Sequence, residues 1–219
     1  MLINLIYSET LDHVIGVNND LYCRISEDLK HFYEITTSVP KDKKNVLLMG
    51  YNTYKSIPKD LRNNKRHIVV VSRNHKEELE KEGIENYNDI GVCIERVEQN
   101  DIYDKLFVIG GSKIFQEIIT KYFHKIDLIY QTKILEEVEY GIKNTIISPI
   151  LILDHIFKNE IKLIKNTEKS GIGEVFNGDR YIKKEIKYQF NVYQNVNTIN
   201  DEELQYLKSL HNIFNLNNL

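Results

Sequence analysis

Residues 45–49 (NVLLM) and 67–72 (HIVVVS) decide the fold of this chain. Each contains an unbroken run of four apolar side chains, which is typical of a strand covered on both faces. Each is followed by a more polar segment of helical character, at residues 53–56 and 76–82. Because such strands need a layer of helices on either side, the two runs predict parallel strands within a three-layer α/β domain.

Strands and helices continue to alternate on both sides of these runs. Further strands are predicted at residues 2–7, 105–109 and 126–133, and further helices at residues 26–37 and 113–120. Two alternating strands, at about residues 160–165 and 185–193, then follow without a helix between them. The sequence thus predicts a mixed, mostly parallel sheet flanked by helices, with antiparallel C-terminal edge strands.

The last part of the 219 residues has a different character. Residues 195–200 are rich in asparagine and are predicted to be a linker. Residues 201–214 are predicted to form an amphipathic helix with one apolar side, consisting of Leu204, Leu207, Leu210 and Ile213. We therefore expect a domain at residues 1–193 and an appendage at residues 194–219.

The composition is that of an ordinary soluble protein, 42% hydrophobic and 28% charged, with a net charge of -3. That balance offers no positive surface for nucleic acid or an anionic membrane, and no stretch approaches the ~18 apolar residues of a membrane-spanning helix. Seven histidines without metal-ligand spacing predict no metal site, and Cys23 and Cys93 form no disulfide framework. We expect reduced thiols and a location in the cytoplasm or an equivalent reducing compartment.

Asp28 is a carboxylate on the side of a predicted helix that should be buried. The apolar stripe of that helix consists of Ile25, Leu29, Phe32 and Ile35, and Asp28 falls inside it. A charge in such a position must be paired, protonated or used in chemistry. The alternative is a carboxylate in the first turn of the helix, favoured by the helix dipole after a Ser26 cap.

Six short motifs follow one another in order along residues 1–193. They are VIG at 14–16, SEDL at 26–29 followed by Phe32, MGYNTYKSIP at 49–58, Arg66 six residues before the SR of 72–73, VIGGS at 108–112 and YQFNVY at 188–193. Each motif alone is weak, because a pair of glycines after a strand is common. Together and in register, they resemble the dihydrofolate reductase family.

The resemblance implies a dihydrofolate reductase-like fold and reduction of 7,8-dihydrofolate to tetrahydrofolate. In that reaction NADPH delivers a hydride to pterin C6, and N5 is protonated. Asp28 matches the carboxylate that holds the pterin and assists the protonation, and Thr132 matches the threonine that hydrogen-bonds to it. Burial should raise the pKa of Asp28 more than the helix N-terminus lowers it. The rate is then expected to fall at alkaline pH.

The same resemblance implies the remaining substrate contacts. Arg66 matches the arginine that binds the α-carboxylate of the folate glutamate through two parallel hydrogen bonds. The apolar contacts to the pterin and aminobenzoyl rings would be Ile6, Phe32, Ile57 and Leu61. From spacing alone, such apolar residues are more often simply core. An arginine before a strand is usually solvated, but the register of Arg66 with Ser72-Arg73 favours function.

On the cofactor side, Gly110-Gly111-Ser112 lies between a predicted strand and a helix, where backbone N–H groups can face a pyrophosphate. The resemblance implies a cis peptide between the two glycines. It also implies that Ser72 and Arg73 bind the 2′-phosphate of NADPH. The other implied cofactor residues are Ile15, Thr53, Ile109, Lys113 and Ile114. Thr53 is alternatively an ordinary helix cap.

The chain also departs from the family pattern at several positions. Tyr22-Cys23 replaces the usual Pro-Trp, and the chain has no tryptophan. Further departures are Phe115 for a tyrosine, Tyr51 for a basic residue, and Tyr7 and Ser8 for small apolar residues. These changes affect the expected rate and inhibitor profile more than the reaction.

The segment 202–207 (EELQYL), followed by Ile213, resembles the first helix of thymidylate synthase. This implies the reductase part of a bifunctional enzyme whose synthase domain would dimerise. The alternative is a generic amphipathic helix that packs on its own domain or on a second copy. For the main domain, the alternatives are a related pterin or pyrimidine reductase, and a catalytically weak binding or assembly module.

Overall fold

The computed structural model describes residues 1–62, 65–150 and 159–196, without the side chains of residues 60 and 61. Its strands are β1 (Leu2–Glu9), β2 (Val14–Val17), β3 (Cys23–Ile25), β4 (Lys44–Gly50), β5 (Arg66–Val71), β6 (Glu85–Tyr87), β7 (Tyr103–Gly110), β8 (Ile126–Ile134), β9 (Thr145–Ile147), β10 (Ile161–Phe176) and β11 (Tyr181–Asn195). Its helices are α1 (Ser26–Thr37), α2 (Tyr51–Ser56), α3 (Lys76–Lys81), α4 (Ile90–Glu98) and α5 (Ser112–Tyr122), with short 3₁₀ turns at Lys59–Arg62 and Phe123–Lys125.

Nine of the strands form one sheet, in the order β3-β10-β11-β8-β1-β7-β4-β5-β6. The six strands from β8 to β6 run parallel, whereas β11, β10 and β3 are added antiparallel. Strands β2 and β9 form a separate antiparallel pair. The predicted mixed, mostly parallel sheet with antiparallel C-terminal strands is therefore confirmed.

Four details differ from the sequence prediction. Strand β3 pairs outside β10 and is the outermost strand at that edge, and the β10–β11 hairpin is much longer than predicted. Helix α4 was missed, although Asp89 caps it by accepting a hydrogen bond from the N–H of Val92 at 3.0 Å. Helix α1 has the predicted bounds, but Ile25 occupies the cap position and Ser26 makes no side-chain cap hydrogen bond.

Apolar side chains are packed on both faces of the parallel strands, as their continuous apolar runs require. On one face, Leu48 and Val108 pack with Ile118 of α5 and Ile94 of α4. On the other face, Leu47, Met49 and Phe107 form a cluster against which Phe32 and Ile35 of α1 pack. Thr36 is the one fully buried residue of α1, so this helix does not close tightly over the sheet.

The domain was predicted to end at residue 193. Strand β11 continues to Asn195, two residues beyond that boundary. A linker and an amphipathic helix were expected in residues 194–219. From residue 197 onward, this segment lies outside the described structure. The thymidylate synthase resemblance therefore stays a prediction. Within the described ranges, each helix is too short or too polar to cross a membrane.

Two leucine-to-alanine variants distinguish a leucine that is packed in the core from one that is exposed on the surface. Leu48 is completely buried, whereas Leu2 is 52% exposed on β1. Leu48→Ala should lower the free energy of unfolding by about 3 kcal/mol, because it removes apolar contacts and leaves a cavity. Leu2→Ala should change it by less than ~0.5 kcal/mol. Urea unfolding of both variants checks this, and equal effects would contradict the assigned core.

Candidate active site

A cleft of about 870 Å³ lies where the parallel strands end. Tyr7 of β1, Gly50 of β4, Ser72 after β5 and Gly110 of β7 all line it. Because these four strands are parallel, their carboxyl ends meet at one edge of the sheet. This is the usual ligand-binding position in open α/β folds.

Asp28 and Thr132 meet beside this edge. The Thr132 hydroxyl donates a hydrogen bond to Asp28 Oδ1 at 2.6 Å, which is the hydrogen bond that the resemblance implies. Burial raises the pKa of the Asp28 carboxyl to about 6, and the Thr132 hydrogen bond acts in the opposite direction. Asp28 nevertheless keeps intermediate solvent exposure, as do Leu29 and Phe32 on the same side of α1. A stripe of this kind, half-buried and carrying a carboxylate, fits a helix that borders a groove.

The apolar residues expected at the substrate lie on the same side of the sheet as Asp28. Ile6 is buried, and Phe32 and Ile57 pack half-buried against the cluster that contains it. Phe32 and Ile57 pack against the core and still keep exposed surface, so for these two residues the two sequence interpretations do not exclude each other. The side chain of Leu61 lies outside the described structure.

Arg66 is only 3% exposed, which contradicts the alternative of a solvated arginine. One of its terminal nitrogens donates a hydrogen bond to Thr36 Oγ1 at 2.8 Å, which holds the side chain against α1. Its guanidinium carbon lies 5.5 Å from the ring centre of Phe32 and 5.3 Å from that of Tyr33. Desolvation lowers the pKa of Arg66 from its usual value. A guanidinium that has lost most of its water attracts a carboxylate more strongly than a solvated one does.

The glycine pair leaves room that a side chain would fill. The Gly110–Gly111 peptide is cis, as the resemblance implies, and Gly110 has a φ of 124°, which favours glycine. A Cβ on Gly111 would lie 3.3 Å from the Thr53 hydroxyl oxygen. Helix α5 begins at Ser112, directly after the pair. Of the other expected cofactor residues, Ile15, Ile109, Lys113 and Ile114 all line the cleft.

Ser72 and Arg73 line the same cleft beside a tight aromatic stack. The Ser72 hydroxyl is 3.0 Å from His75 Nδ1, and the His75 ring stacks on Tyr51 with centres 3.6 Å apart. Tyr51 in turn donates a hydrogen bond to Glu78 at 2.7 Å. His75 was missed as a cleft residue, because its position in the sequence gives no sign of the stack.

The two cysteines are free and buried. Burial raises the pKa of both thiols to about 12, so they stay protonated at neutral pH. Cys23 and its neighbour Tyr22 pack in the cluster beside β11. Among the described residues, no three potential metal ligands come together.

The sequence model of the dihydrofolate reductase family matches residues 2–147. The chain belongs to the dihydrofolate reductase family. The dihydrofolate reductase of Sus scrofa is 30% identical over 200 residues, which cover 89% of this chain and 98% of that protein. The sheet that carries the site continues beyond the matched range, through β10 and β11.

Two other similar proteins are named segregation and condensation protein A. The one from Mycoplasmoides gallisepticum is 35% identical over 119 residues, and the one from Mycoplasma pneumoniae is 32% identical over 119 residues. In both cases the match covers 54% of this dihydrofolate reductase family member. It covers only 18% and 21% of those two proteins.

Two adjacent carboxylates on α1 should respond to pH in opposite ways. The pKa of Asp28 is raised in the folded protein, from 3.8 to about 6, so its ionisation lowers stability as the pH rises through that window. Asp28→Asn should therefore raise the free energy of unfolding at pH 7 by about 2 kcal/mol and have little effect near pH 4. Urea unfolding at both pH values measures this.

Glu27 is the matched control, one residue earlier on the same helix. Hydrogen bonds from Tyr188 at 2.6 Å and Lys169 at 2.9 Å lower its pKa. Its ionisation therefore adds stability, which is present above its unfolded pKa and lost as the pH falls. Glu27→Gln should lower stability at pH 7. The same sign for both variants at pH 7 would contradict the assigned environments.

Proposed function

We propose that the protein catalyses the NADPH-dependent reduction of 7,8-dihydrofolate to 5,6,7,8-tetrahydrofolate. The observation that carries the proposal is the half-buried Asp28 carboxylate, hydrogen-bonded to Thr132 beside the strand-end cleft. A carboxylate in that position has no structural need that a neutral residue would not meet better. Its role is therefore taken to be chemical.

Asp28 has two tasks in this mechanism. When ionised, it accepts hydrogen bonds from the pterin 2-amino group and from N3–H, which fixes the substrate ring in the groove. With a pKa of about 6, it is also protonated in part of the molecules near neutral pH, and so assists proton delivery toward N5. Thr132 holds the carboxylate in one orientation. Ile6, Phe32 and Ile57 surround the rings and limit access of water.

Arg66 recognises the far end of the substrate. Its guanidinium binds the α-carboxylate of the folate glutamate in a bidentate way. The hydrogen bond to Thr36 supports this role, because it fixes the side chain before the ligand arrives. This residue favours a folate over the pterin and pyrimidine substrates of related reductases, which lack the glutamate.

The cleft fits NADPH, which when bound supplies the hydride from its nicotinamide ring. Backbone N–H groups at Gly110 and Gly111 and the start of α5 would hold the pyrophosphate. Thr53 and Lys113 add a hydroxyl and a positive charge. Ser72 and Arg73 bind the 2′-phosphate, which selects NADPH over NADH. The flanking apolar contacts are Ile15, Ile109 and Ile114.

The departures from the family pattern motivate a second candidate, a catalytically weak module that binds NADPH or a partner. The absence of tryptophan and the change to Phe115 favour it. For either function we expect the cytoplasm or an equivalent reducing compartment, which the two buried free thiols support. Turnover of the native chain with dihydrofolate distinguishes the two candidates.

The loss of NADPH absorbance with dihydrofolate tests the reaction. Asp28→Asn should lower kcat by about 100-fold or more, because it removes the ionisable group, while NADPH still binds. In the native chain, the rate of the chemical step should fall as the pH rises above about 6, where protonated Asp28 is lost. Glu27→Gln is the control and should retain turnover. Unchanged kcat in Asp28→Asn would contradict the mechanism, and native binding without turnover would favour the weak module.

Two substrates test Arg66. Arg66→Leu should raise the KM for dihydrofolate by about 10-fold or more, since a charge-assisted contact is lost. The KM for a 7,8-dihydropterin without the aminobenzoylglutamate tail should not change, and this also shows that the variant is folded. Arg96→Leu, an exposed residue of α4, is the control. Equal changes with both substrates would argue against glutamate recognition by Arg66.

A further inference from the structure

A row of polar side chains crosses four neighbouring strands of the sheet. Tyr7 of β1 lies opposite Gln131 of β8, Gln131 opposite Asn191 of β11, and Asn191 opposite Asn166 of β10. These four residues are called the polar row below. Gln131 and Asn191 are buried, where polar groups are costly unless each is hydrogen-bonded. The presence of these polar side chains in the interior of the sheet therefore needs an explanation.

Hydrogen bonds connect the whole polar row in one direction. Asn166 Nδ2 donates to Asn191 Oδ1 at 2.5 Å, Asn191 Nδ2 donates to Gln131 Oε1 at 2.9 Å, and Gln131 Nε2 donates to the Tyr7 hydroxyl at 3.1 Å. Two further bonds fix the Gln131 amide. Tyr193 donates to Gln131 Oε1 at 3.2 Å, and Gln131 Nε2 also donates to the buried Glu9 at 2.8 Å. The amide orientation of Gln131 is thus set by its neighbours.

The polar row ends at the cleft. Tyr7 is half-buried and lines the cleft together with Gly110, Gly111 and Phe115. Its ring meets Phe115 edge-on, with centres 5.9 Å apart. The hydroxyl is hydrogen-bonded to Gln131 and the ring packs against Phe115, so the phenol is held at two points. The remaining ring surface forms part of the cleft wall.

The register of the sheet shows which end of the cleft this wall belongs to. Ser8, the residue after Tyr7, lies opposite Thr132, whose hydroxyl bonds to Asp28. The reacting ring of the cofactor has to lie next to the substrate that Asp28 holds. Tyr7 is therefore at the reacting end of the cleft, and Ser72 and Arg73 are at the phosphate end.

We propose that Tyr7 is a contact residue for the nicotinamide ring of the cofactor, held in place by Gln131 as its positioning residue. This inference rests on the proposed function, because it presumes NADPH in the cleft. Tyr7 provides a flat aromatic surface for a flat ring, a type of contact that favours offset or edge-on stacking. Because the polar row fixes the phenol in advance, little ordering is needed when the cofactor binds.

The test measures binding by calorimetry, with NADPH and with 2′-phosphoadenosine 5′-diphosphate, a fragment that lacks the nicotinamide. Tyr7→Ala should raise the Kd of NADPH by about tenfold, since a fixed aromatic contact is lost, and leave the Kd of the fragment unchanged. Tyr103→Ala is the control, because Tyr103 stacks on His67 and does not line the cleft. Arg73→Ala should weaken both ligands.

A double-mutant cycle tests the positioning role of Gln131. Tyr7→Phe and Gln131→Met each remove the hydrogen bond between the Tyr7 hydroxyl and the Gln131 amide. Each should raise the Kd of NADPH by about threefold. The double variant should be no weaker than either single variant, since both remove one interaction. Merely structural damage from Gln131→Met would weaken the fragment as well, and additive effects would overturn the positioning role.

The remaining outcomes are also decisive. An unchanged or lower Kd of NADPH in Tyr7→Ala, or an equal loss for NADPH and the fragment, would overturn the assignment of Tyr7 and leave the proposed reaction intact. If the native chain binds the fragment and NADPH with equal affinity, the nicotinamide ring adds nothing to binding and the inference fails. If the native chain binds neither ligand, the cofactor part of the proposed function fails with it.

Discussion

The hydrogen bond between Asp28 and Thr132 is the contact on which the rest of the site depends. It connects the first turn of α1 to the middle of the sheet, across 104 positions of sequence. An ionised carboxylate is less stable inside a protein than in water. Partial exposure and the Thr132 hydrogen bond both favour the ionised form of Asp28, and both are needed if it is to ionise near neutral pH. Burial of this carboxylate lowers the stability of the protein, and a neutral side chain at the same place would raise it. Such a loss of stability is common at functional sites.

Much of the fold follows from local patterns. The runs 46–49 and 68–71 predicted buried parallel strands, and the helix predicted at residues 26–37 has the bounds of α1. The hairpin of β10 and β11 was underestimated because most of β10 is exposed, so apolar alternation marks only part of it. Helix α4 was missed although its buried residues, Ile90, Cys93, Ile94 and Val97, have helical spacing and Asp89 precedes them as a cap.

The site was less accessible from local patterns. The position of Asp28 within an apolar stripe was a physical signal, but its partner Thr132 was expected only from the resemblance to a family. The burial of Arg66 and the stack of Tyr51 on His75 depend on tertiary neighbours that spacing does not reveal. The polar row is of the same kind, because strand order decides that Tyr7, Gln131 and Asn191 become neighbours.

The antiparallel strands at the edge also set the order in which the site can assemble. Phe190 of β11 lies opposite Thr132, Tyr188 bonds to Glu27 beside Asp28, and β3, which leads into α1, pairs with β10. During synthesis, α1 leaves the ribosome early, whereas these supports are made more than a hundred residues later. The nascent chain therefore carries Asp28 for most of its synthesis without the strands that fix it. The contacts around Asp28 described above are complete only when β11 has joined the sheet.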